Sequence, residues 1–143
     1  MKYFVLIAAF LLVGFSPLMT HAMDNEMNDV TKPALTAIAF RSDSCGACRI
    51  LEPKLKEAIA SLDDDTKAKI KFVEFDFSNK EKINNTRIIA KENNLDAVLH
   101  EYGAKTGFVV LLNQDSEETD KLKADDSAED MATKITKIIA SKG

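Results

Sequence analysis

Cys45 and Cys48 are the only two cysteines in this chain of 143 residues, and they stand three positions apart in the run Ser44-Cys45-Gly46-Ala47-Cys48-Arg49. A thiol pair at that spacing closes into a small disulfide ring and reopens at little geometric cost. A strand-like run precedes it and a helix-like run follows, so the first cysteine falls at a helix start. Unpaired N–H groups and the positive end of the helix dipole there favour a thiolate over a thiol. The chemistry expected is thiol–disulfide exchange. Two other readings use the same residues. Paired thiolates can bind or deliver a soft metal, although zinc usually takes four ligands and His100 is the only histidine after residue 22. A disulfide in a binding protein can also be merely structural, although so short a ring constrains the unfolded chain little.

The elements that must hold this pair read as follows. Ala34 to Phe40 is a short apolar run with no polar face, which suits a buried central strand. Arg41 to Ser44 is a polar loop. From Cys48 to Leu62 the apolar residues Ile50, Leu51, Leu55, Ala58, Ile59 and Leu62 fall at helical spacing, with Pro53 expected to kink the helix. Asp63-Asp64-Asp65 reads as a solvated turn rather than a metal site. Ile70 to Phe77 alternates as a second strand. Ser78 to Asn94 is helical, with Ile83, Arg87, Ile88, Ala90 and Lys91 in register, and Leu95 to Tyr102 adds one or two turns ended by Gly103. Phe108 to Leu112 is a third apolar strand, with Thr119 to Leu122 returning antiparallel. Ser127 caps a last helix, with Asp130 three residues on, and Ala128, Met131, Ala132, Ile135, Ile138 and Ile139 form its buried stripe. Long connections between the early strands predict parallel pairing, and the short late one predicts a hairpin.

The first residues resemble an export signal: Lys2, an apolar run from Tyr3 to Val13, and the small-x-small site Thr20-His21-Ala22. Residues 1–22 are therefore expected to be a cleaved signal peptide, 23–33 a flexible lead-in and 34–143 a single domain. The protein would then be periplasmic or secreted; an uncleaved signal would anchor it in the inner membrane facing the periplasm. With Lys2 the one charge in the leader, the remainder carries 18 basic and 23 acidic residues, a formal charge of −5. That balance argues against nucleic acid as a partner. An exported chain meets an oxidising compartment where disulfides persist, and two cysteines are too few for a disulfide scaffold.

The segment from Phe40 to Leu55 resembles the active-site segment of the thioredoxin superfamily. It has an aromatic residue before the loop, Cys-Gly-x-Cys, a basic residue directly after, and Pro53 five positions beyond the second cysteine. The order of strands and helices agrees over nearly the whole mature chain. The resemblance implies an α/β fold, a thioredoxin-like three-layer sandwich with a central mixed sheet of about four strands. It implies a thiol–disulfide oxidoreductase in which Cys45 is the nucleophile and Cys48 the resolving thiol, with no cofactor beyond that pair. Gly46 would permit a tight turn and close approach of a partner backbone; Ala47 stands where thioredoxins carry proline; Arg49 would add positive potential or be a solvated charge. The implied partners are cysteine-containing exported proteins and a thiol reductant or oxidant, with the chain monomeric and a reductase or isomerase-like role favoured.

Three departures stand out. Ser44 replaces the usual tryptophan. Ala39 occupies the position of a buried acid, for which Glu74 could substitute, although a surface position suits Glu74 better. Lys105-Thr106-Gly107-Phe108 replaces the cis-proline segment. Thr106 and Gly107 are expected to face the cysteines, with the threonine hydroxyl near Cys45. The long stretch from Asn84 to Gly103 is expected to add helix near the site and to form part of the partner surface.

Overall fold

The computed structural model describes residues 32–141. The expected leader and most of the lead-in lie outside the described residues. The elements are β1 (Leu35–Arg41), α1 (Gly46–Ser61), α2 (Asp64–Ala68), β2 (Ile70–Asp76), α3 (Lys80–Glu92), α4 (Asp96–Tyr102), β3 (Phe108–Asn113), β4 (Glu118–Lys123) and α5 (Ala128–Ala140). The four strands form one mixed sheet in the order β2-β1-β3-β4, and the expected α/β sandwich is observed.

The apolar run in β1 is central because both its faces are covered. Leu35 and Ala37 join one buried cluster with Leu51 and Ala58 of α1, Val109 and Leu111 of β3, and Met131 and Ile135 of α5. The alternate residues Ile38 and Phe40 join a second cluster with Val73, Phe75, Ala90, Leu95, Val110 and Leu112. Each fully buried aliphatic or aromatic side chain contributes about 1.5–3 kcal/mol, so the two-faced strands β1 and β3 anchor the domain. In α5, Ser127 accepts a hydrogen bond from the Asp130 N–H at 3.0 Å, and Asp130 returns the capping box to the Ser127 N–H.

Several details differ from the sequence reading. Strand β1 pairs with β2 in parallel, as expected, but with β3 antiparallel. Two helices, α3 and α4, separate β2 from β3, and the extra helix returns the chain to the end at which β1 finishes. Phe108 therefore sits opposite Phe40. The acidic run is not a turn: Asp63 caps α2, accepting from the Thr66 N–H at 2.8 Å. Helix α1 starts two residues earlier than the apolar period shows and continues through Pro53, whose missing N–H leaves the Arg49 carbonyl without its helical donor. On β2 the apolar Phe72 is half-exposed, while the charged Asp76 is buried along with Val73 and Phe75. Helix α1 packs on β3, and α5 on β1, β3 and β4, so this face of the edge strand stays open at Phe72. In α3 the buried residues are Thr86 and Ala90, while Ile88 is exposed.

Candidate active site

Cys45 is the N-cap of α1, and its extended backbone ends the loop that leaves β1. Its Sγ accepts a hydrogen bond from the Cys48 N–H at 3.1 Å. The two sulfurs are joined as a disulfide, with the Cα atoms 5.3 Å apart. Cys45 is partly exposed, whereas Cys48 is 4% exposed. The Cys48 Sγ lies 3.9 Å from the Phe40 carbonyl oxygen, near enough for a weak S–H donation when the pair is reduced. The first turn of α1 contains no acidic residue, so nothing on the helix end opposes negative charge on Cys45.

Phe40 supports the site from below. Its ring stacks on Phe108 at 4.9 Å between centroids and meets Phe75 and Tyr102 edge-on at 5.2 and 5.4 Å. Its carbonyl also accepts the Gly107 N–H at 2.8 Å. This bond holds the residue before β3 against the cysteine ring. Gly107 has φ 98°, and a Cβ there would lie 2.7 Å from the Ala47 Cβ and 3.4 Å from the Cys45 Sγ. Glycine is thus required both by its dihedral and by its neighbours. No cis peptide bond occurs among the described residues.

The other expected site residues separate into groups. Ala47 is exposed and turns its Cβ toward Gly107. Gly46 is exposed, has no positive φ, and a Cβ there would meet nothing within 4 Å. The turn therefore does not require a glycine at 46, and the expected tight-turn role is corrected: the open space is on the solvent side. Thr106 is partly buried beside Gly107, but its hydroxyl forms no hydrogen bond to either sulfur. Arg49 is exposed and donates to the Asp43 carbonyl at 3.3 Å, tying the helix start to the preceding loop. His100 is exposed on α4. Among the described residues no group of three or more His, Cys, Asp or Glu side chains gathers as a metal site.

Sequence patterning missed Arg41. Its guanidinium lies 3.2 Å from Asp43, 3.2 Å from Glu52, 3.7 Å from Glu74 and 3.3 Å from Asp76. One cation thereby joins the cysteine loop, α1 and β2. Burial works against its charge, but these carboxylates outweigh burial and hold its pKa above the ordinary value. For Asp76, burial favours the neutral acid, yet hydrogen bonds from the Ser78 hydroxyl and N–H and the charges of Arg41 and Lys82 hold its pKa below the usual range. Glu74 pairs in register with Ala39 and is exposed. A cavity of about 360 Å³ reaches Cys48 from this side, bordered by Ala39, Arg41, Glu52 and Glu74.

The thioredoxin family model matches residues 17–95, more than half of the chain, and spans the cysteine pair. The chain belongs to the thioredoxin family. Among solved structures it is similar to Trxlp from Edwardsiella tarda EIB202, with 12% identity and a TM-score of 0.47 over 72% of this chain and 82% of that one. It is also similar to StoA from Bacillus subtilis, with 20% identity and a TM-score of 0.48 over 73% and 84%. A DsbF homologue from Corynebacterium diphtheriae shows 16% identity and a TM-score of 0.44 over 77% and 73%. No curated protein sequence matches the chain. The family fold and its Cys45–Cys48 pair support thiol–disulfide oxidoreductase activity in general.

Proposed function

We propose that this protein is an exported thiol–disulfide oxidoreductase that exchanges disulfides with cysteine-containing exported proteins through Cys45 and Cys48. The observation that carries the reading is the asymmetry of the pair: a partly exposed sulfur at a helix N-terminus receiving the Cys48 N–H, and a second sulfur buried behind it. In the reducing direction the Cys45 thiolate attacks one sulfur of a partner disulfide. A Cys45–partner disulfide forms, and the other partner sulfur leaves as a thiolate. Cys48, deprotonated, then attacks the Cys45 Sγ, closes the intramolecular disulfide and releases the second partner thiolate. Two electrons pass to the partner, and a thiol reductant restores the dithiol. The same steps in reverse oxidise a partner dithiol. No cofactor beyond the pair is needed.

Export is supported by the sequence of residues 1–22, and no helix among the described residues is long and apolar enough to cross a membrane. The test is the reduction potential of the pair in redox buffers, together with dithiol-dependent reduction of a protein disulfide. Turnover with a potential in the exchange range is expected. A potential far below about −300 mV without turnover identifies a structural disulfide instead, and stoichiometric metal held only by the reduced protein identifies a delivery module. Cys48→Ala is expected to accumulate mixed disulfides through Cys45 in the exporting cell; recovery of none counts against catalysis.

A further inference from the structure

Beside the disulfide, on the side of β4, lies a groove of about 400 Å³ whose inner wall is Ala47 and Gly107. A Cβ on Gly107 would lie 2.7 Å from the Ala47 Cβ and 3.4 Å from the Cys45 Sγ, so the groove opens next to the reacting atom. Its floor is aromatic, with Tyr102 and Phe108 rings 5.3 Å apart. The rim is cationic. Lys105, Lys121 and Lys123 line it against a single acid, Asp125. This reverses the charge of the chain as a whole, which has 23 acidic and 19 basic residues.

The groove is held in shape from two sides. The Tyr102 hydroxyl donates to Glu118, while the Lys121 ammonium sits 3.0 Å from Glu118 and 4.7 Å from the Tyr102 ring centroid. Opposite, Lys54 of α1 donates to the carbonyls of Ala124 at 2.7 Å and Asp126 at 3.0 Å, pinning the loop after β4. Lys105 and Lys123 are exposed and form no ion pair among the described residues. Two unpaired ammonium groups over an aromatic floor raise the local concentration of anionic chain segments and leave an apolar surface for a side chain between them.

We propose that this groove receives the acidic segment of a partner protein that flanks the partner's reactive disulfide, with Asp or Glu side chains toward Lys105 and Lys123 and an apolar side chain on Tyr102 and Phe108. The proposal rests on the exchange reading for its consequence in rate, but not for binding itself.

The test uses the full chain, oxidised, with two cysteine-free peptides of equal length, one with Asp and Glu around a leucine and the other with Lys and Arg around it. Fluorescence anisotropy at low ionic strength is expected to show the acidic peptide bound about fivefold more tightly, the scale of a few exposed ion pairs, with the preference fading as salt rises. In Lys105→Glu/Lys123→Glu the preference should reverse, and the same ordering should appear in the reduction rates of matching peptide disulfides. Equal affinity for both peptides, or an acidic preference surviving the double substitution, overturns the proposal. A concentration-dependent dimer that the double substitution dissolves places a second copy in the groove and also overturns it. Reduction of a neutral small disulfide reports the sulfur chemistry separately: its failure refutes the exchange reading, while the anisotropy result still decides the groove.

Discussion

Gly107 packs directly on the redox pair: a Cβ built on it would approach the Cys45 Sγ to 3.4 Å and the Ala47 Cβ to 2.7 Å. The strand that follows, β3, is antiparallel to β1, so its first residues arrive where β1 delivers the cysteine loop. The Gly107 N–H bond to the Phe40 carbonyl fixes this approach without a proline. Gly107→Ala is expected to lower stability by about 1–3 kcal/mol, from strain at positive φ and the contact with Ala47. Urea unfolding of the oxidised protein measures this. Exchange should also slow, because the wall beside Cys45 is displaced. A variant as stable and as fast as the parent would show that the close approach has no role.

Arg41 is the hub of the loop that carries the cysteines. Removing it leaves Asp76, whose side chain is 8% exposed, with Ser78 and Lys82 as its remaining partners. Breaking one side of a buried charge arrangement costs more than the pair contributes. Arg41→Ala is expected to lose about 1–3 kcal/mol at neutral pH. In the cycle with Asp76→Asn the two losses should fall short of adding, because Arg41 matters less once Asp76 carries no charge. Strict additivity would mean that the hub does not act as a unit.

The same carboxylate sets an acid limit. The folded-state pKa of Asp76 is depressed, because Ser78, Arg41 and Lys82 outweigh the burial that opposes its charge. A depressed carboxylate pKa contributes stability that is fully present above the unfolded value and is lost as pH falls through the folded value. Stability should therefore decline from about pH 4 downward. Asp63 and Asp130, held low chiefly by the side-chain hydrogen bonds of Thr66 and Ser127, act in the same direction. Asp76→Asn should flatten the acid limb of an unfolding free-energy profile measured between pH 2 and pH 6. An unchanged slope would remove Asp76 from the account.

What the sequence revealed follows from how local each feature is. The cysteine pair, the two-faced apolar strands β1 and β3, and the Ser127 cap are written in residues a few positions apart. Gly103 ending α4 is likewise a local signal. Arg41 reads as a loop residue in the sequence, because its partners lie up to 35 positions away. Asp76 fits a polar, outward position in a period of two, and only the meeting of Arg41, Ser78 and Lys82 makes its burial tolerable. Thr86 is similar: its hydroxyl reaches the backbone N–H and carbonyl of Asp76, a contact no helical pattern displays. The antiparallel return of β3 depends on counting α3 and α4 as separate helices, and that return is what brings Gly107 to the site.

Gly46 offers the cleanest way to test the electrostatics of the attacking sulfur. It is the first residue of α1, exposed, with no positive φ and free space where a Cβ would stand. Side chains can therefore be introduced beside Cys45 without disturbing packing. In the reduced protein the helix end and the Cys48 N–H should favour the thiolate, so alkylation of Cys45 should reach half its maximal rate at a pH below that of a free thiol. Gly46→Asp places a carboxylate in the first turn next to the thiolate and should move that pH upward. Gly46→Lys should move it downward, and the shift between the two variants should shrink at high salt. The two substitutions alter the same exposed position with opposite charge, so a steric effect would act on both alike, whereas an electrostatic one must split them. Identical profiles for both variants would mean that Cys45 does not react as a helix-stabilised thiolate.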